Sequence, residues 1–476
     1  MLKTLLRYAP VQVASALSVF VLISLQTRYL GVEDYGVLSV YLVVVELTRA
    51  VYSQWLNTTL IRHYPAADES EKRTYSSIVF SGIVGIFLPV SIIFTLILFA
   101  LFEHASFSVL FALLGLLIVK SFFFFFQEMA RLNEHASKYR KTTATQSILS
   151  MALTWLTLEY SPSVVAAITG LSFSYLISLP FIWFRVPLTS LSLKNPGVSK
   201  LVTYGWPLML SGLIGIAASR IDRFFIAEQL TYADAGIYSA LSNMLLGLMA
   251  LIFMVVALPL YPTLARKADE KTKLFKAHKR YQLMMLTISL PALVGLCFIA
   301  EPLITVFLGI DFLSAGIPLF WILAASAFIS NLRMHYIDHG LQFASRTKIL
   351  PFVLTSSLIL NITMLLVLLP PFGLYGAAYT SLTCNLITLL LSYHYAKKAG
   401  HEYWMDCDVI KITIASLSMA LSLYLSQNAI FWPSSDAIQI ALSVTIGIPV
   451  FVLSTLAMNL MGSRDIIINK LRDHYA

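Results

Sequence analysis

A few polar and charged side chains fall inside otherwise apolar stretches of this 476-residue chain, and these are the residues equipped for chemistry. Glu46, Arg49, Ser53 and Asn57 follow one another at intervals of three, four and four, which places them on one face of a helix. Lys120 sits in the middle of another apolar stretch, with Gln127 two turns along the same face. Arg220, Asp222 and Arg223 form a third group, in which 220 and 223 share a face and 222 points elsewhere. Ser326, Ser330 and Arg333 make one stripe, and Asn331, His335 and Asp338 a second. Thr143, Ser147, Ser150 and Thr154 make a milder one. An ionisable side chain at the centre of a bilayer costs about 2.5–3.5 kcal/mol on insertion scales, so each should face a cavity or a partner. Five bases stand against three acids (Glu46, Glu128 and Asp222), an excess of two positive charges. That excess suits an anionic ligand; a cavity for cations would carry the opposite sign. Arg is suited to forked contacts with phosphate oxygens. Arg49, Lys120, Arg220, Arg223, Arg333 and Asn57 are therefore the candidate ligand-binding residues of a cavity, and Glu46 and Asp222 the candidates for gating pairs or ion coupling. Neutralisation within the pair explains Glu46 with Arg49, and Asp222 with a neighbouring Arg, equally well. Arg333, near the end of its stretch, has the length to snorkel to the interface.

Other chemistry finds little footing. Cys297, Cys384 and Cys407 show no CxxC spacing, which argues against a disulfide framework or a zinc site. No GxxxxGK[ST] phosphate loop occurs. His401, Glu402, Asp406, Cys407 and Asp408 are metal-ligand types, but their spacing matches no motif and reads as a solvated cytoplasmic loop. The run Phe122 to Phe126 covers every face of a helix, so lipid contact and packing account for it.

The elements that position these residues follow from composition. Hydrophobic residues make up 58% and charged residues only 12%, with a mean hydropathy of +0.79. Soluble domains hold about 25% charged residues, so a soluble multidomain protein is excluded, as are a secreted disulfide scaffold and a disordered chain. Apolar runs long enough to cross a bilayer number fourteen, at roughly 8–27, 35–61, 76–102, 107–130, 142–158, 164–184, 203–227, 235–263, 282–300, 313–336, 349–369, 374–395, 410–427 and 437–460. The fifth and sixth are the weakest, being rich in Ser and Thr. The first begins after Lys3 and Arg7 and is too long for a signal peptide, so it reads as an uncleaved span. The expected fold is an all-α polytopic membrane protein.

With the N-terminus in the cytoplasm, the alternating loops place 27 of the 33 basic residues inside, counting Lys411 at the very start of the thirteenth span, only Arg28 outside, and five within spans. The outer loops instead carry acids such as Glu33, Asp34, Glu103, Glu228, Asp234 and Asp311. This asymmetry supports fourteen spans with both termini cytoplasmic. It also accounts for the net charge of +9 through loops near anionic lipid, without nucleic acid. The most basic loop, Arg266 to Arg280, reads as a solvated topology anchor.

The chain also repeats itself. Leu30-Gly31-Val32-Glu33-Asp34-Tyr35-Gly36-Val37-Leu38-Ser39 returns two hundred residues later as Leu230-Thr231-Tyr232-Ala233-Asp234-Ala235-Gly236-Ile237-Tyr238-Ser239. The preceding spans open alike, with Tyr8-Ala9-Pro10 and Tyr204-Gly205-Trp206-Pro207. Six spans separate the copies, so both run in the same direction: a parallel repeat about an axis along the membrane normal. The expected organisation is two pseudo-symmetric six-helix lobes, 1–190 and 191–400, with two C-terminal helices and a tail over 401–476. Two repeated lobes point to a transporter working by alternating access rather than an enzyme. With no ATP site, an ion gradient (H+ or Na+) or the substrate's own gradient would drive it; no other cofactor is implied.

Arg28-Tyr29-Leu30-Gly31 followed by Tyr35-Gly36 resembles the first-loop signature of bacterial polysaccharide transporters, the Wzx-type oligosaccharide flippases. Leu60-Ile61-Arg62 closing the second span fits that pattern, as do Asp222 with Gly236-Ile237-Tyr238-Ser239, and Asn361 with Pro370, Gly373, Gly376, Ala377 and Ala378. The resemblance covers nearly the whole chain. It implies the fold of the multidrug/oligosaccharidyl-lipid/polysaccharide exporter superfamily, in a bacterial inner membrane. It also implies a substrate, an undecaprenyl-pyrophosphate-linked sugar repeat unit destined for O-antigen, capsule or exopolysaccharide. Polysaccharide polymerase and chain-length proteins would be its partners. Two alternatives belong to the same superfamily. One is a cation/drug antiporter, disfavoured because the first span lacks an acidic residue. The other is a lipid II flippase, whose substrate is also anionic. A membrane glycosyltransferase would need a larger loop or domain than this chain offers.

Overall fold

The computed structural model describes residues 2–102, 106–191, 195–268, 270–344, 346, 349–403, 407–429 and 432–465. Glu103 and Asp406, assigned to loops above, lie outside the described residues. Among those described, the chain is helical and contains no β-strand. In order the helices are α1 (Leu2–Arg49), α2 (Trp55–His63), α3 (Glu69–Leu101), α4 (Phe107–Leu132), α5 (Ala136–Tyr160), α6 (Val164–Ser178), α7 (Pro196–Arg220), α8 (Asp222–Gln229), α9 (Tyr232–Ala265), α10 (Lys271–Phe298), α11 (Ala300–Phe307), α12 (Ile317–Leu332), α13 (Asp338–Phe343), α14 (Ile349–Phe372), α15 (Leu374–Lys398), α16 (Cys407–Gln427) and α17 (Asp436–Ala457).

Each of the fourteen expected spans coincides with helix. Eleven described helices are long and apolar enough to cross a membrane. The other three expected spans are the two halves of the Leu2–His63 segment and the Ser/Thr-rich α5. The protein is a multi-pass membrane protein of all-α fold. The first two spans run together as α1 and are separated only by a break at Gly31, whose φ of 70° and ψ of −173° lie in a region open essentially to glycine. At the equivalent point of the repeat, Thr231 does the work: its hydroxyl accepts the Asp234 amide at 3.0 Å and starts α9. Asp68 caps α3 with a reciprocal Glu71 interaction, and Asn195 caps α7 with Pro196 in its first turn.

Contacts divide the chain into two compact units, 1–239 and 240–476. In the first, α7 and α8 join the six preceding spans by packing on α2 and α1. Here the sequence repeat acquires a physical reason. A Cβ placed on Gly36 would lie 1.8 Å from the Tyr232 carbonyl oxygen, and one on Gly236 would lie 1.9 Å from that of Val32. Ser39 donates a hydrogen bond to Ser239 at 3.0 Å in the same seam. Position i meets position i+200 reciprocally, the pattern a two-fold relation between these two segments produces. In the second unit, α16 and α17 pack on each other and on α10 around Ala415, Met419, Leu423 and Phe451.

Candidate functional site

In the first unit, Glu46 and Arg49 are one helical turn apart on α1, and Glu46 carboxylate oxygen Oε2 accepts from Arg49 Nε at 3.1 Å and Nη2 at 2.9 Å. The other oxygen, Oε1, accepts from Lys120 of α4. One carboxylate therefore serves two cations, and the cluster keeps one net positive charge. All three side chains are largely shielded: 13% of Arg49, 15% of Lys120 and 19% of Glu46 is exposed. Aromatic faces line the site. Arg49 lies 5.0 Å from the Phe124 ring centroid and Lys120 5.8 Å from that of Tyr175. The Phe122–Phe126 run divides its labour: Phe123, Phe125 and Phe126 are buried, while Phe124 supplies the platform under Arg49.

Directly after Arg49 the helix widens into a π-helical turn over Ala50–Gln54, a feature frequent at functional sites. Gln54 Oε1 reaches back to Arg49 Nη2 at 3.4 Å. Ser53 donates to Ser121, the neighbour of Lys120, at 3.0 Å. Asn57 is buried one turn further on, and its amide oxygen has no hydrogen-bond partner among the described residues. Gln127 donates to Thr143 at 2.9 Å, and Ser147, Ser150 and Thr154 are buried with it, so the mild polar stripe of α5 faces protein. Glu128 pairs with Arg131 at 2.7 Å and takes no part in the cluster.

The Arg220–Arg223 group lies where the seventh span is interrupted at Ile221. Asp222 opens α8 and accepts the backbone amide of Arg223 at 2.9 Å, with Tyr238 also bonded to its side chain. Arg223 is buried, whereas Arg220 is half-buried in the last turn of α7, where its charge complements the helix dipole.

In the second unit, Arg333 begins another π-helical turn, Arg333–Ile337, and stands 3.9 Å from Asp338. Ser326 is bonded to Ser381 and Asn385 of α15, each at 2.9 Å, and so belongs to helix packing. The solvated-loop reading of His401 is corrected: His401 is buried, and its Nε2 shares a 3.1 Å hydrogen bond with Nδ1 of His278. His339 joins them, 5.9 Å from His278 between ring centroids, and Tyr403 donates to the Ile337 carbonyl. Burial pushes the His401 pKa below its ordinary value, with Glu402 opposing weakly. Sequence spacing missed this cluster because its members come from α10, α13 and the loop after α15. Among the described residues no group of three or more His, Cys, Asp or Glu side chains is arranged to hold a metal ion.

The fold is shared with known transporters. The chain superposes on lipid II flippase MurJ in an inward closed conformation with a TM-score of 0.75 at 17% identity, covering 97% of this chain and 99% of that one. An inward-facing multidrug resistance MATE family transporter of the MOP superfamily matches with a TM-score of 0.63 at 12% identity, over 80% of this chain and 94% of that one. The Vibrio cholerae MATE transporter VcmN matches with a TM-score of 0.55 at 15% identity, over 84% and 96%. No curated protein matches the sequence. Residues 25–316, more than half of the chain, match the family described as polysaccharide biosynthesis protein, and the chain belongs to that family.

Proposed function

We propose that the protein flips an undecaprenyl-pyrophosphate-linked oligosaccharide repeat unit from the cytoplasmic to the outer leaflet of a bacterial inner membrane by alternating access, with both termini in the cytoplasm. The observation that carries this is the shared carboxylate: Glu46 holds Arg49 and Lys120 together inside membrane-spanning helices with one positive charge to spare. A glycan and a pyrophosphate cannot cross hydrocarbon unaided. A basic, shielded site offers the pyrophosphate compensation while the lipid tail stays in the bilayer. The arriving anion competes with Glu46 for Arg49 and Lys120; Arg49 offers a fork and Lys120 a mobile point charge. Exchange of partners then couples occupancy to the local helix arrangement, since a ligand shifts a conformational equilibrium only through contacts that differ between states. Glu46, released, is free to take a proton or bind a cation, which gives a route to coupling by an ion gradient. Arg223 and Arg333 are further candidate contacts for the head group or glycan. The membership in a polysaccharide biosynthesis family and the fold shared with a lipid II flippase support a lipid-linked glycan as cargo.

The test is leaflet access. The full chain is reconstituted in liposomes carrying an undecaprenyl-pyrophosphate oligosaccharide on one leaflet, and a glycosidase on the other side reports arrival. Protein-dependent acceleration that is lost in Arg49→Ala and kept in part by Arg49→Lys supports the proposal. Full activity of both variants at wild-type abundance sinks the role of that charge. Ion-driven efflux of a cationic dye without glycan flipping moves the protein to the drug-antiport branch.

A further inference from the structure

The basic segment Arg266 to Arg280 runs from the end of α9 into the first turns of α10. Between the end of α9 and the start of α10 lies a cavity of about 490 Å³, within the range of small-molecule sites. Two facing stripes line it. On α9, Leu260 and Leu264 lead to Lys267; on α10, Lys273, Lys276 and Arg280 lead to Met284 at intervals of three, four and four. The helices are antiparallel neighbours in sequence, so both stripes change from apolar to basic toward the same end. A cavity with apolar walls below and cations above fits an amphiphile with an anionic head.

The charge count narrows the head group. Lys273 is held by Glu270 at 2.7 Å. Lys267, Lys276 and Arg280 have no ion-pair partner among the described residues, which leaves three cations for the ligand. A phosphodiester lipid brings one negative charge, and a diphosphate esterified at both ends brings two. Three cations match the diphosphate better. The first unit holds a related cavity lined by Tyr64, Lys72, Arg73, Ser76 and Arg185, two hundred residues earlier in the repeat. There Lys72 is tied to Glu69 at 2.8 Å, and Ser76 stands where Lys276 stands in the second.

We propose that the α9–α10 cavity is a docking site for the diphosphate head of a lipid-linked substrate in the leaflet where transport begins. This rests on the flippase reading for its orientation and cargo. Full-length protein in nanodiscs of phosphatidylcholine is titrated with undecaprenyl pyrophosphate, in the wild-type and Arg49→Ala backgrounds. The triple variant Lys267→Gln, Lys276→Gln, Arg280→Gln weakens binding by about tenfold or more in both backgrounds, because charge-assisted contacts to phosphate are the strong ones. Lys267→Arg with Lys276→Arg keeps the affinity and shows that the site tolerates substitution. Arg73→Gln with Arg185→Gln removes charge from the other cavity and leaves binding near wild type; an equal loss there would mean general surface attraction and overturn the site. Unchanged binding in the triple variant overturns it also. Equal competition by phosphatidylglycerol shows a membrane phospholipid as occupant instead, and equal competition by inorganic pyrophosphate shows that the apolar walls contribute nothing; either refutes a lipid diphosphate site. If the triple variant loses binding while wild-type liposomes show no flipping, the transport reading fails and the binding site stands.

Discussion

Glu46 is the member of the cluster whose loss should cost most, because both cations depend on it. Glu46→Gln leaves Arg49 and Lys120 side by side in a shielded site without the carboxylate that joins them. Breaking a buried pair by removing one partner costs about 3–5 kcal/mol. With 13–19% of these side chains exposed, the lower end of that range applies. Lys120→Met is milder, since Arg49 still neutralises Glu46 through two hydrogen bonds at 2.9 and 3.1 Å. The double variant Glu46→Gln, Lys120→Met removes one charge of each sign and leaves Arg49 with Gln54 and the Phe124 ring, so it recovers part of the loss. The order of melting temperatures in detergent is therefore wild type, Lys120→Met, the double variant, then Glu46→Gln. A Glu46→Gln protein as stable as Lys120→Met would refute the shared-carboxylate account. The same set separates structure from transport. Flipping retained by the double variant would make the cluster a packing device. Loss of flipping in a double variant that folds places Glu46 or Lys120 in the transport cycle.

Gly36→Ala and Gly236→Ala each drive a methyl group to within 2 Å of a carbonyl oxygen, so the crossing segments must part by more than about 1 Å; overpacking costs about 1–3 kcal/mol and this case belongs at the top of that range or above it. A thermal unfolding curve unmoved by either change would show that the seam is looser than described. Gly31→Ala meets nothing within 4 Å, yet should cost about 1–3 kcal/mol from its φ of 70° alone, read in the same melt. His401, held below its ordinary pKa by burial, binds a proton less readily in the folded protein than in the unfolded chain, which takes one up as pH falls through about 6.5. Its contribution is therefore fully present above that pH and is lost on acidification. The melting temperature should drop between pH 7 and pH 5.5, and His401→Gln, though less stable at pH 7, should show a smaller drop; parallel pH profiles would contradict the assignment.

Much of the architecture was legible because a bilayer imposes simple constraints on length, apolarity and loop charge. The helix positions came from apolar runs, and even the break at Gly31 was marked by a glycine between two such runs. The repeat around Gly36 and Gly236 was visible as letters, but its cause, two backbones in mutual contact, was not. Spacing also suggested Glu46 with Arg49, since i and i+3 are neighbours on any helix. Lys120 could not be attached from the sequence, because it lies 74 positions away on another helix. The same holds for His278 and His401, which are 123 positions apart. The solvated-loop reading of His401 failed because a short loop after α15 folds back over α10, a tertiary event without a local signal.

The face shared by Glu46, Arg49, Ser53 and Asn57 shows a subtler failure. At about 100° per residue, Asn57, eleven positions on, falls about 20° from Glu46. A π-helical turn absorbs one extra residue, so positions beyond Ala50–Gln54 fall back by about 100°. Asn57 then stands about 80° from Glu46 rather than in line with it. In the structure Arg49 engages Glu46 and Gln54, Ser53 donates to Ser121, and the amide oxygen of buried Asn57 has no hydrogen-bond partner among the described residues. Arg333 also begins a π-helical turn; Ser326 and Ser330 precede it on regular helix, and Ser326 packs on α15 while Arg333 approaches Asp338 across the turn. Two of the five cations within the expected spans thus adjoin π-helical turns, beyond which phase counting gives the wrong neighbours. A local change in helical phase moves the residues beyond it to a new face, as Asn57 shows, and that is where regular spacing stops predicting the site.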